Sequence, residues 1–304
     1  MSVPNKILVI YKKSALRLAK ERKNSRILDL IEKGDPSTAH YVAADKAHYA
    51  TLGYLSENLS KWIDTVDFRF RANAAKVNSY DLVITVGGDG TFLWASKFVG
   101  PEVPVLGINS APGSSVGFYT SVNGQPEEKL EEFISGLLED VVLPRKVVNR
   151  LKVAVNGEVV QDRVLNDVLF AAKHPAGMTS YILKAPNEHH GVKATETEEQ
   201  KSSGIWISAP GGSTGANLSA GGWILPLNDE RLQFVVREPM KNYVWGTEHR
   251  LNHGFWKVDQ KLVIVCKTRS AILACDGTTI TFPVTIGDKI EISHSDEPLI
   301  ILGK

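Results

Sequence analysis

The stretch Asp81-Leu-Val-Ile-Thr-Val-Gly-Gly-Asp-Gly-Thr91 constrains the chain more than any other. Leu82 to Val86 is an unbroken apolar, β-branched-rich run, the mark of a strand buried on both faces in a parallel sheet. Gly87, Gly88 and Gly90 end it abruptly. Glycines there let the backbone take positive φ and come close to a ligand. Thr91 is positioned to cap the helix that begins at Phe92. Strand, glycine turn and helix start together aim backbone N–H groups at an anion, usually a phosphate. Asp89 sits among those amides and would repel a phosphate, unless it holds a metal ion or takes a proton from an attacking hydroxyl. Both roles belong to phosphoryl transfer. The plainer alternative is a βα turn with an aspartate stabilising its loop. The turn is neither Gly-x-Gly-x-x-Gly nor a P-loop, since no Gly-Lys-Ser/Thr follows.

The strands before and after this turn alternate with helices. Lys6–Tyr11 reads as a buried strand, and Lys12 and Lys13 follow where ligands approach parallel sheets. Surface lysines are the simpler reading of that pair. Helical spacing covers 14–31, ending at Gly34, and 44–63; short strands are expected at 66–70 and 103–108, and an acidic amphipathic helix at 127–140. This order predicts a doubly wound α/β domain over residues 1–145.

Past Leu143-Pro144-Arg145 the period changes. Leu151–Val155, Asn156-Gly157 and Glu158–Val160 form a hairpin pattern with a type I′ turn pair. Strand-like runs follow at 164–171, 179–184, 204–208, 232–237, 261–266, 271–274, 278–284, 289–293 and 298–302, so residues 146–304 read as mostly antiparallel β. The polar composition of 186–203, with Glu188-His189-His190, predicts a flexible loop. The two histidines lack metal-ligand spacing.

Three further stretches bear on chemistry. Asn166-Asp167 places two polar side chains inside an apolar run, which a bulge or strand end would also explain. The stretch Ser208–Gly222 offers Ser213, Thr214, Asn217 and Ser219 among five glycines, with few large side chains for a core, although a structural crossover loop would also be glycine-rich. Asp276-Gly277 is the expected hairpin pair, and Asp276 is carried as a secondary candidate. Trp223, Trp245 and Trp256 read as packing, and Phe118 as packing or a stacking platform for a base.

A net charge of +1 gives no electrostatic footprint for nucleic acid or an acidic membrane. No apolar run approaches the ~20 residues of a membrane span. Cys266 and Cys275 read as buried free thiols in a reducing compartment. The strand at residue 6 leaves no room for a targeting segment, so a cytoplasmic protein is expected.

Gly87–Thr91, Asn166-Asp167 and Gly212–Gly222, in this order, resemble the signature of the NAD kinase family. The first motif is shared with diacylglycerol and sphingosine kinases; the three together are specific. Lys201–Gly204, Phe234–Pro239 and Asp276-Gly277 are similar to the plant-type NADH kinase branch. The resemblance implies transfer of the ATP γ-phosphate to the 2′-hydroxyl of the adenosine ribose of NAD or NADH, with Mg²⁺. It also implies an α/β domain followed by a β-rich domain, a last strand that returns to the first domain, and a homodimer or homotetramer.

Carried over, Asp89 accepts the hydroxyl proton or contacts Mg²⁺, and the amides of Gly87, Gly88, Gly90 and Thr91 cradle phosphates. Asn166 and Asp167 bind the ribose and adenine, and Phe118 packs on the adenine. Thr214, Gly215, Ala216 and Ser219 line the dinucleotide pocket, with Ser203 at its nicotinamide end. Ser203 stands where family members often carry Asp, Ala216 where Tyr is frequent, and Ser110–Val116 replaces a short Thr-Gly-His-Leu turn. A lipid kinase and a non-catalytic dinucleotide sensor are the alternatives; the Gly212–Gly222 loop and the lack of a membrane-docking stretch disfavour the first, an intact Asp89 the second.

Overall fold

The computed structural model describes residues 4–73, 77, 79–138, 143–189, 192–241 and 249–304. Trp245, His190 and Asp140 lie outside the described residues, as does the His189 side chain. The chain divides into two compact units, Met1–Lys146 with Leu299–Lys304, and Val147–Pro298.

The first unit begins with β1 (Lys6–Tyr11), the helices α1 (Ala15–Glu21), α2 (Ser25–Glu32) and α3 (Tyr41–Asn58), and β2 (Thr65–Phe70). It continues through β3 (Leu82–Gly87), α4 (Asp89–Ser96), β4 (Val105–Asn109), β5 (Val122–Asn123), α5 (Glu127–Leu138) and β6 (Arg145–Val148). The second unit holds β7 (Leu151–Val155), β8 (Glu158–Val164), β9 (Asp167–Ala172), β10 (Thr179–His189), β11 (Val192–Ser202), β12 (Ile205–Ser208) and α6 (Ala216–Ser219). Then come β13 (Leu232–Val236), β14 (His253–Trp256), β15 (Lys261–Cys266), β16 (Ala271–Cys275), β17 (Ile280–Val284) and β18 (Lys289–His294), and β19 (Leu299–Leu302) closes the first unit.

The sheet of the first unit has the order β2-β1-β3-β4-β19-β6, with β5 beside β4. Its β1–β2, β1–β3 and β3–β4 pairs are parallel. Every residue of β3 and β4 is buried, because helices cover both faces of such a sheet. The chain leaves β1 toward one edge and β3 toward the other. The carboxyl ends of β1 and β3 therefore flank a topological switch point, the place where ligands meet open α/β sheets.

The second unit has two six-stranded sheets, β11-β10-β15-β18-β7-β8 and β14-β13-β12-β9-β16-β17. One apolar core joins them, with Phe170 of β9 edge-on to Tyr181 of β10 at 5.5 Å. Asn156 and Gly157 have φ of 53° and 87°, which makes the β7–β8 turn type I′. The α/β class of the first half and the antiparallel β class of the second follow the sequence pattern.

Four local expectations are corrected. The helix expected over 14–31 is two helices, because Lys23 turns left-handed (φ 51°) and the Asn24 side chain accepts from Ile27 N–H to start α2. The run expected as one strand over 164–171 breaks at Leu165-Asn166, between β8 and β9. The loop expected over 186–203 is a long hairpin of β10 and β11, in register from Thr179↔Ser202 to His189↔Val192. As the edge strand of its sheet, β11 has solvent along it, and solvent accounts for its Thr/Glu/Lys composition. Trp256 is buried, but Trp223 is 41% exposed, its ring tilted against Phe255 at 4.9 Å outside the core.

Candidate active site

The glycine turn is held in place by packing. Gly87, Gly88 and Gly90 are all absent from the positive-φ residues, against the sequence expectation. A Cβ on Gly87 would collide with the Thr91 hydroxyl, and one on Gly88 with Ser115; only Gly90 faces open space. Gly88 is the N-cap of α4, which puts Thr91 at the third helical position instead of the cap. Thr91 is 1% exposed and its hydroxyl has no hydrogen-bond partner among the described residues.

Asp89 is the first residue of α4, where a carboxylate is favoured by the helix dipole. Its Oδ1 accepts from the backbone N–H of Tyr119 at 2.8 Å. Among the described residues nothing donates to Oδ2, so one oxygen is tethered and the other is open. Lys304 is close enough for the Asp89 charge to oppose the burial that lowers its ammonium pKa. Tyr119 is buried, stacked at 5.0 Å on Phe92 of α4, so the tether is rigid at both ends. Phe118 stands edge-on to Tyr119 and is half-buried, which leaves a face for other contacts.

Beside this turn, His48 is fully buried, its Nε2 2.7 Å from the Lys12 carbonyl and its Nδ1 2.7 Å from the Ser110 hydroxyl. A carbonyl only accepts, so Nε2 carries the proton and Nδ1 receives the Ser110 hydroxyl. Burial pulls the His48 pKa down to about 4, and the imidazole is a neutral brace.

In the second unit, Asn166 and Asp167 sit at the step from β8 into β9. The Asp276 carboxylate accepts from the N–H groups of Leu165 (3.0 Å), Asn166 (2.7 Å) and Asp167 (3.4 Å), and its own N–H donates to the Asp167 carbonyl at 2.9 Å. Asp276 and Gly277, with φ of 49° and 93°, do form the β16–β17 turn. The turn also presents a carboxylate to the neighbouring segment.

Asp167 is 8% exposed, and its carboxyl finds no donor among the described residues. Burial, then the Asp276 charge, lifts its pKa from 3.8 to about 7. Gly212 packs on the same segment: a Cβ there would strike the Asn166 carbonyl, and Ala209 N–H donates to that oxygen at 3.0 Å. The Asn166-Asp167 step and the glycine loop are thus one packed assembly.

Within that loop Thr214, Gly215 and Ser219 are exposed and Ala216 is half-buried. Ser213, expected to face a ligand, instead donates to the Pro210 carbonyl at 2.6 Å and receives Leu225 N–H at 3.0 Å. Asn217 is fully buried, and neither amide atom has a partner among the described residues. Ala216, Ser219, Trp206 and Arg237 line a groove of about 480 Å³. Arg237 lies 5.9 Å over the Trp206 ring and donates to the Ser203 carbonyl at 3.4 Å.

Sequence reasoning missed His48, the Tyr119 amide and the extent of Asp276's role. No group of three or more metal-ligating side chains occurs among the described residues. No helix there is long and apolar enough to cross a membrane.

The chain was compared with known proteins. Residues 8–142 match the model of the ATP-NAD kinase N-terminal domain. The NADH kinase of Arabidopsis thaliana is 32% identical over 88% of this chain and 86% of its own length. A probable NADH kinase of Oryza sativa subsp. japonica is 28% identical over 84% and 81%. An NAD kinase of Methanospirillum hungatei is 29% identical over 73% and 74%. Among solved structures, yeast NADH kinase complexed with NADH has a TM-score of 0.63 at 17% identity, covering 99% of this chain and 84% of that one. An NAD kinase from Archaeoglobus fulgidus in complex with ATP has 0.59 at 18%, covering 97% and 92%. These two structures share the fold.

Proposed function

The chain belongs to the NAD kinase family, and from that premise we propose that it moves the terminal phosphate of ATP to the 2′-hydroxyl of the adenosine ribose of NAD(H). The observation that carries this reading is the Asp89 carboxylate, fixed at Oδ1 by Tyr119 N–H and open at Oδ2, at the start of α4. An open carboxylate oxygen held that firmly serves as acceptor for the attacking hydroxyl's proton. The Thr91 N–H, expected to cradle phosphate, instead donates to the Gly88 carbonyl at 2.9 Å; the amides of Gly88 and Gly90 at the start of α4 favour the phosphate being transferred. Asn166 and Asp167 hydrogen-bond the ribose and adenine, with Asp276 holding their backbone. Phe118 packs on the adenine, and Thr214, Gly215, Ala216 and Ser219 line the dinucleotide pocket.

Mg²⁺ fits this donor set. It takes one or two carboxylates and completes its shell with substrate phosphates and water, and Asp89 has one oxygen to give. When bound it supplies positive charge to the phosphates. At the nicotinamide end, Ser203 brings no carboxylate, and the Arg237 guanidinium reaches its carbonyl. The cation in contact with Ser203 favours the neutral ring of NADH over the positive ring of NAD⁺, while the Glu238 carboxylate lining the same groove acts in the opposite sense.

The test is turnover of the purified chain with ATP, Mg²⁺ and either NAD⁺ or NADH, product being read with an NADP(H)-specific dehydrogenase. Product from both, with the higher kcat/KM for NADH, is expected. Dinucleotide binding without turnover would make the chain a sensor, and ATP consumption only with added lipid would make it a lipid kinase.

A further inference from the structure

Two cations converge beside the glycine turn, and none of the roles above uses them. The parallel register pairs Tyr11 of β1 with Phe70 of β2 and with Val86 of β3. The residues that follow are Lys12, Arg71, which begins a short 3-10 turn, and Gly87, all at the carboxyl edge of the sheet and at the switch point. Lys12 N–H donates to the Val86 carbonyl at 3.4 Å, which fixes it next to Gly87. His48 holds the Lys12 carbonyl from below at 2.7 Å.

The neighbouring lysine is different. Lys13 is 2.7 Å from the Glu21 carboxylate and lies 5.1 Å over the Phe70 ring, on the Tyr11–Phe70 face. Lys12 is half-buried, feels the Arg71 charge, and meets no acceptor among the described residues. Its ammonium pKa is lowered, first by burial and then by the Arg71 charge. Two like charges drawn together in a half-buried position are costly unless an anion joins them.

We propose that Lys12, with Arg71, is a clamp for the polyphosphate chain of the phosphate donor, placed across the switch point from the Gly88–Asp89 turn. The proposal rests on the kinase reading for the donor's identity, but the anion site itself is a property of the first unit. The clamp holds the donor phosphates by charge-assisted hydrogen bonds, with the turn amides on their other side. It is selective for a chain of phosphates over a single one, since its two cations sit at neighbouring positions. A nucleoside triphosphate and inorganic polyphosphate both carry that chain.

The test uses the full chain and two variants, Lys12→Met and Lys12→Arg, each first checked for an unchanged unliganded Tm. The probes are inorganic tripolyphosphate for binding, by titration calorimetry, and ATP or polyphosphate as separate donors for turnover. Lys12→Met should weaken tripolyphosphate binding about tenfold or more and raise the donor KM by a similar factor. The dinucleotide KM should stay within about twofold, and Lys12→Arg should recover most of the loss, because it keeps the charge. If ATP and polyphosphate both fail as donors while tripolyphosphate binding still depends on Lys12, the clamp stands and the kinase reading fails. Unchanged binding and unchanged donor KM in Lys12→Met would overturn the clamp, as would undetectable tripolyphosphate binding by the unaltered chain.

Discussion

Asp167→Asn should remove a pH dependence from the stability of the second unit. In the folded chain the Asp167 carboxyl is 8% exposed, and its pKa is lifted from 3.8 to about 7 by burial and by Asp276. The sign follows from linkage. Between pH 4 and 7 the folded state binds more protons at this site than the unfolded state, so stability falls as pH rises. The rise covers roughly three pH units at about 1.4 kcal/mol each, a ceiling of about 4 kcal/mol fully lost above pH 7. Two buried histidines act in the opposite sense. His48 and His294 are pulled from 6.5 to about 4, so the stability they contribute is present above pH 6.5 and lost as pH falls through 4. The raw profile of either protein is therefore a composite.

The difference between the two profiles isolates Asp167, because Asn matches the neutral acid in shape and does not titrate. Urea unfolding from pH 4.5 to 8, followed by tryptophan fluorescence, to which the buried Trp256 contributes, and by far-UV circular dichroism in the range where the antiparallel β of the second unit dominates, gives that difference. Relative to Asp167→Asn, the unaltered chain should lose about 1.4 kcal/mol per unit from pH 5 to 7 and then level off. A difference independent of pH would refute the raised pKa, and with it the claim that this carboxyl lacks a donor in the free protein. The kinetic corollary is that a half-protonated Asp167 near pH 7 can either donate to or accept from a substrate hydroxyl.

Asp89→Asn should lower kcat by about 10²–10⁴-fold while changing stability by no more than the ~1 kcal/mol of a carboxylate at a helix start; single-turnover product formation at the parent rate would eliminate it as the proton acceptor. Asp276→Asn keeps a residue that tolerates the turn's positive φ but gives up charge-assisted bonds to three amides, at about 1.5–3 kcal/mol. The dinucleotide KM should rise with the ATP KM unchanged, and equal rises in both would contradict its placement under Asn166-Asp167. Gly212→Ala drives a methyl into the Asn166 backbone, which cannot swing aside as a side chain can. A loss of about 1–3 kcal/mol in thermal or urea unfolding is expected, and full stability would show that the loop and the Asn166 step pack independently.

The sequence was most readable where burial is two-sided. β3 and β4 are apolar at nearly every position because both faces are covered, and they announced a parallel sheet. β11 was hidden by the same rule, since an edge strand in solvent carries the Thr, Glu and Lys of a loop. The break between α1 and α2 lies in the wholly polar run Lys20–Arg26, where the apolar spacing lapses and Asn24 offers a cap, a signal that reading 14–31 as one helix passed over.

At the site, the glycine turn was visible but the reason for its glycines was not. Their φ values are ordinary, and what excludes a Cβ from Gly87 and Gly88 is Thr91 and Ser115 pressed against them. Asp89's tether is a backbone amide 30 residues away, and Asn166's support is a carboxylate 110 residues away. Neither has a local signature. Asp276 nevertheless left a clue. Position 276 asks for a residue that accepts a φ of 49°, and Asn meets that demand as well as Asp does. The turn alone therefore gives no reason for a charge, and what needs one is the row of three N–H groups from Leu165 to Asp167, which a neutral Asn amide could satisfy only in part. The carboxylate that holds this segment also helps keep Asp167 protonated, so one residue fixes both the position and the charge of the proposed ribose-binding pair.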